Sequence, residues 1–274
     1  VKYLSKRLKN LHKADIFLAN LLLGDFMFVR SLMLVIGLGS MAPGDACAAE
    51  TVKRTMIVEN AEEWGLSLNT GQVISLEGLH WISPGDHWQS LRGLQVSLEK
   101  SDFEKIGTDR NRYGDLLGKI MVEPFGWVQE YWIKKGLAVF SGIGPYPIKL
   151  RKALLAGEKQ ARTKRLGAWK RFTVLKADNP AYLLKMQGFR VVEGQIKNVR
   201  KFGGTTYLNF GADWKSDFTV AISSTERRNF KKLDWKLKDL DNKWIRIRGV
   251  IRSYNGPFME LFFPEQIEFP DENL

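Results

Sequence analysis

Cysteine is almost missing from this sequence. Cys47 is the only one in 274 residues, which excludes an intramolecular disulfide and any zinc or iron–sulfur site built on a cysteine cluster. Long apolar runs are missing as well: the stretch Ser31-Leu-Met-Leu-Val-Ile-Gly-Leu-Gly39 falls short of the roughly 20 residues that cross a bilayer. No long internal period marks a solenoid. Acid is in deficit, with 42 Lys and Arg against 30 Asp and Glu, a formal charge of +12 and a pI near 9.7. Such a chain is drawn to polyanions, whether nucleic acid, anionic lipid or another acidic polymer. Apolar residues are not scarce. At 44% hydrophobic the chain can build one large core or two ordinary ones, and its balance is not that of a disordered protein.

The N-terminal part reads as a targeting segment. Met27-Phe-Val-Arg30 is a short n-region with one positive charge, the apolar run follows, and Ala46-Cys-Ala48-Ala49 offers small residues for cleavage. Residues 1–26 are then either an unusually long n-region or lie upstream of a true start at Met27, the preferred reading. A membrane-tethering or buried helix is the competing one. Cleavage before Glu50 would remove Lys2, Lys6, Arg7, Lys9, Lys13 and Arg30 against Asp15, Asp25 and Asp45, leaving a mature chain that is still basic and has no cysteine. Secretion to a bacterial periplasm fits that composition better than a disulfide-dense extracellular niche. No transmembrane span is expected in the mature chain.

Beyond Glu50 the spacing predicts two modules, 50–170 and 190–270, joined by a connection at 171–189. Glu50 to Leu66 is expected to be a leader. Leu66 to Leu79 alternates around Asn69-Thr70-Gly71, a hairpin signal, with Ser75 and Glu77 on the wet face. Leu94, Val96 and Leu98 mark another strand, and Leu116 to Val122 one more. Trp127, Val128, Tyr131 and Trp132 predict a helix stopped by Gly136, with a short strand Leu137 to Phe140 behind it. Lys149 to Gly167 is expected to be a basic surface helix, weakened by Gly157 and capped by Gly167, with Trp169 docking back. The second module shows five strands with a helical stretch between the third and fourth, the order of an OB barrel.

The first module resembles the thermonuclease family, the staphylococcal nuclease-like domains. Tyr113-Gly114, Lys135-Gly136-Leu137-Ala138, Glu158-Lys-Gln-Ala161 and Leu166-Gly-Ala-Trp169 carry the resemblance, which implies a five-stranded OB-type barrel with added helices. It also implies phosphodiester hydrolysis with calcium held by acidic residues and two arginines on the phosphate. Carried over position by position, the site is emptied: Ser75 stands where the strand arginine belongs and Trp64 where a loop aspartate belongs. His80 replaces the aspartate after the barrel glycine, the acid beyond it falls near Ser83, and Asp115 replaces the arginine after tyrosine-glycine. Glu62, Glu63, Glu77 and Asp86 are the acids left nearby to rebuild a cation site, which would want several oxygen ligands. Ser75 and Asp115 supply neither the charge nor the fork that steadies a phosphate in its transition state.

Further residues have chemistry that a site could use. His80 and His87 flank Pro84-Gly85 and suit a metal pair or an acid–base pair, or plain packing beside Trp81 and Trp88. Arg110, Arg112 and Tyr113 are candidates for phosphate contact. The second module resembles the OB-like accessory domains that follow nuclease-like domains in some secreted bacterial proteins, through Glu193-Gly194, Thr206-Tyr-Leu-Asn-Phe-Gly211, Phe218-Thr-Val-Ala-Ile222, Arg248-Gly249 and Pro264-Glu-Gln-Ile-Glu268. Such barrels stack single-stranded bases on aromatics over a basic groove, and Lys201, Tyr207, Phe210, Trp214, Arg246, Arg252 and Tyr254 have suitable chemistry. The densest basic run, Arg227 to Lys238, is either a binding patch or a solvated helix face.

The fold class expected is therefore mainly β with helices, as two OB-type five-stranded barrels in tandem. The function expected is binding of nucleic acid, another polyanion or an envelope partner by a degenerate nuclease-like protein, with no cofactor or metal. Two alternatives stay open. One is a divergent secreted phosphodiesterase, for which calcium would be the cofactor, and the other is a structural protein-interaction module.

Overall fold

In the computed structural model, which describes residues 55–270, the fold is mainly β with a few helices, and its strands make two barrels. The expected extension and signal peptide at 1–49, with Met27 and Cys47, lie outside the described residues. In the first barrel β1 (Met56–Glu62), β2 (Gly65–Leu68) and β3 (Val73–Ser75) form a meander, and β4 (Leu79–Trp81) leads away from it. Next, β5 (Gln95–Glu99) pairs antiparallel with β1, β6 (Lys119–Val122) with β5, and β7 (Gly126–Trp127) with β6. A parallel bridge between Ile74 and Leu116 joins β3 to the segment entering β6 and closes the ring. Leu66, Leu68, Ile74, Val96 and Ile120 fill it.

The expected leader contains β1. Its alternation is hidden because the register slips between Val58 and Asn60: Val58 and Ala61 both point into the core, and a bulge spaces them by three residues instead of two.

Helix α1 (Ser101–Glu104) covers one end of the barrel with Phe103. Helix α2 (Val128–Lys134) buries Val128, Trp132 and Ile133 and leads through Gly136 into β8 (Ala138–Phe140), which pairs with β4. Helix α3 (Ile148–Thr163) buries Leu150, Leu154, Leu155, Gly157 and Ala161 on one stripe. Gly157 does more than weaken this helix: a Cβ there would lie 3.1 Å from Cγ of Lys134, so its absence lets α2 and α3 cross closely. The helix also ends earlier than expected. Arg165 takes the left-handed conformation at φ 52°, and Gly167 opens a 3-10 turn, Gly167–Lys170, that docks Trp169 at 3% exposure. The amide of Ala168 donates to the carbonyl of Gly136, so contact with the end of α2 decides where α3 stops.

Segment 171–189 holds β9 (Val174–Lys176) and α4 (Pro180–Lys185), and β9 adds in parallel to the edge of β10 (Gly188–Gln195). The chain then bends through Ile196 into β11 (Asn198–Phe202), β12 (Thr205–Asn209) and β13 (Thr219–Ile222), crosses by α5 (Arg227–Lys232), and returns as β14 (Trp244–Ser253) and β15 (Pro257–Glu260), with β16 (Ile267–Glu268) beside β14. Pairing runs β11-β12-β13-β15-β14-β10. Because β10 and β11 are one bent strand, this order is a closed ring of five strands, the OB arrangement. Val192, Leu208, Phe218, Val220, Ile247 and Met259 fill it.

The barrels share a seam with its own core. Val139, Ala161 and Trp169 from the first meet Phe189 and Val191 from the second. Beside them Arg248 is fully buried, its Nη1 donating to the carbonyl of Phe140 (2.7 Å) and to Glu158 (2.9 Å) and its Nη2 to Glu268 (2.7 Å). Burial disfavours the guanidinium charge, but the two carboxylates outweigh it and hold the Arg248 pKa above its ordinary value. Gly142, at φ 68°, lies so close that a Cβ would sit 2.6 Å from the carbonyl of Glu265.

Candidate functional site

The bridge that closes the first barrel also builds its candidate cleft. The amide of Ser75 donates to the carbonyl of Leu116 (2.9 Å), which sets Ser75 and Glu77 beside the turn 110–115. Asn111 organises that turn. Its Oδ1 accepts from the amides of Tyr113 (2.9 Å) and Asp115 (3.0 Å), an Asx-type turn. Its Nδ2 donates to Glu77 Oε1 (3.2 Å) and to Asp115 Oδ2 (3.1 Å). Arg110 is spent on the carbonyl of Gly114 (2.7 Å), and Arg112 lies over the Tyr113 ring at 4.8 Å.

Ser75 is 4% exposed, and its Oγ accepts from the amide of Glu77 (3.1 Å). The expectation of a wet face fails at this position because the turn before β6 covers it. Burial pushes the Glu77 carboxyl up; Asp115 adds to the rise, while Asn111 and Arg112 oppose it. Ser75 and Asp115, where the resemblance implies arginines, thus lie on the two segments that one closure joins. A phosphate placed there would meet a carboxylate and a buried hydroxyl.

The remaining candidates do not join this cleft. Trp64 is 44% exposed, with its carbonyl accepting from Leu76. Glu62 accepts from Asn60, and the carbonyl of Glu63 accepts from the Trp81 indole. Among the described residues no three His, Cys, Asp or Glu side chains come together as a metal site. The residues present do not fit the calcium that the resemblance implies, because Glu77 and Asp115 are turned onto one amide and, among the described residues, no third acidic or histidine side chain joins them.

The two histidines part company. His80 stacks on Phe189 across the seam at 4.0 Å between ring centroids; burial, helped by Arg190, lowers its pKa to about 4. His87 lines a cleft of about 370 Å³ with Asp86, Ser90, Phe125, Tyr131, Trp132 and Leu137.

In the second barrel the nucleic-acid candidates divide. Phe210 is core, 5% exposed with its ring 5.1 Å from Phe218. Arg246 is held by Glu193 (2.7 Å) and Glu268 (2.6 Å). Arg252 is exposed but paired with Glu260 (3.1 Å), and Tyr207 is half-buried. Lys201, Trp214 and Tyr254 are exposed. Strand register places Arg200, Tyr207, Ala221 and Glu260 in one outward row across β11, β12, β13 and β15. A carboxylate therefore sits within the face that a nucleic acid would need to be basic. Phe202, 79% exposed at the tip of the β11–β12 hairpin, was not anticipated, although the following Gly203-Gly204 marks the turn that pushes it out.

Sequence reasoning also passed over Asn111, for which an asparagine two residues before Tyr113-Gly114 is a turn signal, and Glu158, whose burial no local pattern announces.

A five-stranded barrel closed by a parallel bridge and backed by a packed helix pair is the class of domain that this geometry defines. Residues 91–171 match the family described as staphylococcal nuclease homologue, and this stretch is a staphylococcal nuclease-like domain. The match takes in Asp115, α2 and α3; Ser75, Glu77 and His80 precede it. No curated protein matches the chain. A domain of this class points to nuclease-related or nucleic-acid-binding work.

Proposed function

We propose that the protein binds nucleic acid and does not cleave it. The observation that carries this reading is the Ser75–Glu77–Asn111–Asp115 knot. Both positions that should present cations to a phosphate are without them, and the acids present are committed to an amide. Phosphoryl chemistry needs positive charge where negative charge develops, and this cleft offers the reverse. The net charge of +12 supports attraction to a polyanion.

The experiment is a single incubation of the protein with labelled single-stranded and duplex DNA and RNA, with calcium or with chelator, scored for retardation and for cleavage. Retardation that weakens with salt and no shortening of the label is expected. Calcium-stimulated cleavage that disappears in Glu77→Gln would establish the divergent nuclease instead. One observation favours that alternative: Glu77 holds its proton more tightly than an ordinary carboxyl, as a general acid would. Salt-insensitive capture of an envelope protein with no nucleic acid retained would favour an interaction module.

We also propose export to the periplasm, from the apolar run after Arg30 and the small residues Ala46 to Ala49. The protein recovered from a periplasmic extract should then begin near Glu50. Recovery with Lys2 or Met27 still in place, from the cytosol alone, would end that proposal. Among the described residues no helix is long and apolar enough to cross a membrane.

A further inference from the structure

One row of unpaired charge lies on neither candidate face. It lies on α3 and the turn after it. Between Lys149 and Lys176 the only acid is Glu158, and Glu158 is fully buried in the seam with Arg248 and Arg162. Lys149, Lys152 and Lys159 fall on the stripe opposite the one α3 buries, as the helical repeat of 3.6 requires, and Lys164, Lys170 and Arg171 continue it beyond the last turn. All six are exposed, and among the described residues none makes an ion pair. Elsewhere Lys100, Lys119, Lys134, Arg246 and Arg252 each face a carboxylate, and the exposed Arg228, Lys231, Lys232 and Lys236 on and after α5, although without an ion pair among the described residues, are interleaved with Glu226, Asp234 and Asp239. The contrast comes from the sequence: this segment has been left without surface acids.

We propose that this ridge is the nucleic-acid interface, and that its ligand is a duplex gripped by its phosphates without reading of the bases. The inference rests on the function proposed above and specifies its surface and substrate class. Three features favour a duplex over a single strand. Half of the ridge stands on one helix, whose 16 residues span about 24 Å, the axial rise of about seven phosphates on one strand. No exposed aromatic interrupts it, so it offers no platform for unstacked bases. A duplex also presents its phosphates already ordered, whereas a flexible strand would lose conformational freedom to follow a fixed row of lysines. The second barrel's exposed aromatics Trp214 and Tyr254 are the competing surface.

The test uses the full chain and a fluorescein-labelled 24-base-pair DNA of arbitrary sequence, with an oligo-dT of equal length beside it. Anisotropy titrations are run between 50 and 200 mM NaCl. Six phosphate contacts at about 0.9 counterions each predict that affinity for the duplex falls about 1,800-fold over that range. Lys152→Ala/Lys159→Ala/Lys164→Ala removes three, and its loss over the same range should shrink to about 40-fold, with circular dichroism unchanged. Unaltered duplex binding by the triple variant would overturn the ridge while leaving the function intact. Tighter binding of oligo-dT, lost in Trp214→Ala/Tyr254→Ala, would overturn it in favour of the second barrel. If neither DNA is retained at 50 mM, the proposed function itself falls and the ridge with it.

Discussion

The α3 ridge and the seam are both rich in basic residues, and they use them in opposite ways. At the seam Arg248 is held between Glu158 of the first barrel and Glu268 of the second, and beside it Arg246 is held by Glu193 and Glu268 of its own barrel, so the charge of both is spent on neighbouring carboxylates. On the ridge the lysines have water for company. Composition counts both alike, so a net charge of +12 says nothing of how much is free to attract a ligand. Arg248 and Lys159 lie on different sides of that division because the neighbours of one are buried carboxylates and those of the other are solvent.

The sharpest way to break the comparison is to remove Arg248. Arg248→Met keeps much of the volume but strands Glu158 and Glu268 in a dry seam, and loss of one partner from a buried pair costs about 3–5 kcal/mol. Urea unfolding followed by tryptophan fluorescence and far-ultraviolet circular dichroism should show that loss, with the two signals moving together because the barrels share the seam core. Adding Glu158→Gln and Glu268→Gln should restore part of it, since no buried carboxylate is then stranded, while Arg162 loses its partner and Arg246 keeps only Glu193. A loss below 1 kcal/mol in Arg248→Met would mean that water reaches the seam and that the division between spent and free charge is unreal.

His80 gives another handle on the same seam. Its folded pKa of about 4 lies below the unfolded value near 6.5, so protons bind the unfolded chain more readily. Its contribution is fully present above pH 6.5 and is lost as the pH falls toward 4. The loss reaches about 3 kcal/mol at most. Glu77 and Glu265, both raised by burial, act in the opposite sense, favouring the folded state as they take up protons. The clean measurement is therefore the difference between the parent and His80→Phe, which keeps a ring on Phe189 and removes the titration. That difference should change steadily from pH 7 to pH 4; a flat difference would place His80 in water.

Much of this molecule could be read from its sequence, and the failures share a cause. The hairpin at Asn69-Thr70-Gly71, the helix stopped by Gly136 and the five strands of the second barrel follow from local pattern and turn chemistry. The strands missed were β1, where a bulge between Val58 and Asn60 spoils the alternation, β9, three residues paired in parallel to the edge of β10, and the short β4 and β7, of three and two residues. The site residues misjudged, Ser75, Phe210 and Arg246, are those whose exposure is set by a distant segment. Alternation assigns a residue to a face and cannot say what covers that face. Arg246 and Arg248 follow Ile245 and Ile247 in strict alternation and look like an outward pair. Phe140 and Glu158 of the first barrel cover Arg248, and Glu193 and Glu268 of neighbouring strands hold Arg246.

Gly142→Ala probes the seam through the backbone alone. A Cβ at φ 68° is strained, and this one would meet the carbonyl of Glu265 at 2.6 Å. The left-handed conformation alone costs about 1–3 kcal/mol, so a loss near 2 kcal/mol or more in urea unfolding is expected. Gly71, also left-handed at φ 78° but with nothing within 4 Å of a built Cβ, supplies the control for strain without the close approach. Equal losses at both positions would show that the seam at Gly142 is looser than its geometry implies.

The smallest effect belongs to a pair that resembles the seam in everything but its surroundings. Arg252 reaches Glu260 at 3.1 Å, close to the 2.9 Å between Arg248 and Glu158, but its side chain is 64% exposed where that of Arg248 is 0%. Length alone would rank the two pairs together. Solvent screens the exposed charges and both side chains surrender rotamer freedom to meet, so such pairs are worth about 0–1 kcal/mol. Arg252→Ala should shift the urea midpoint by no more than about 0.5 kcal/mol equivalent, and Glu260→Ala should do the same. A loss above 2 kcal/mol from either would show that the outward row of the second barrel is covered, as the seam is, and would move Arg252 to the side of the spent charges.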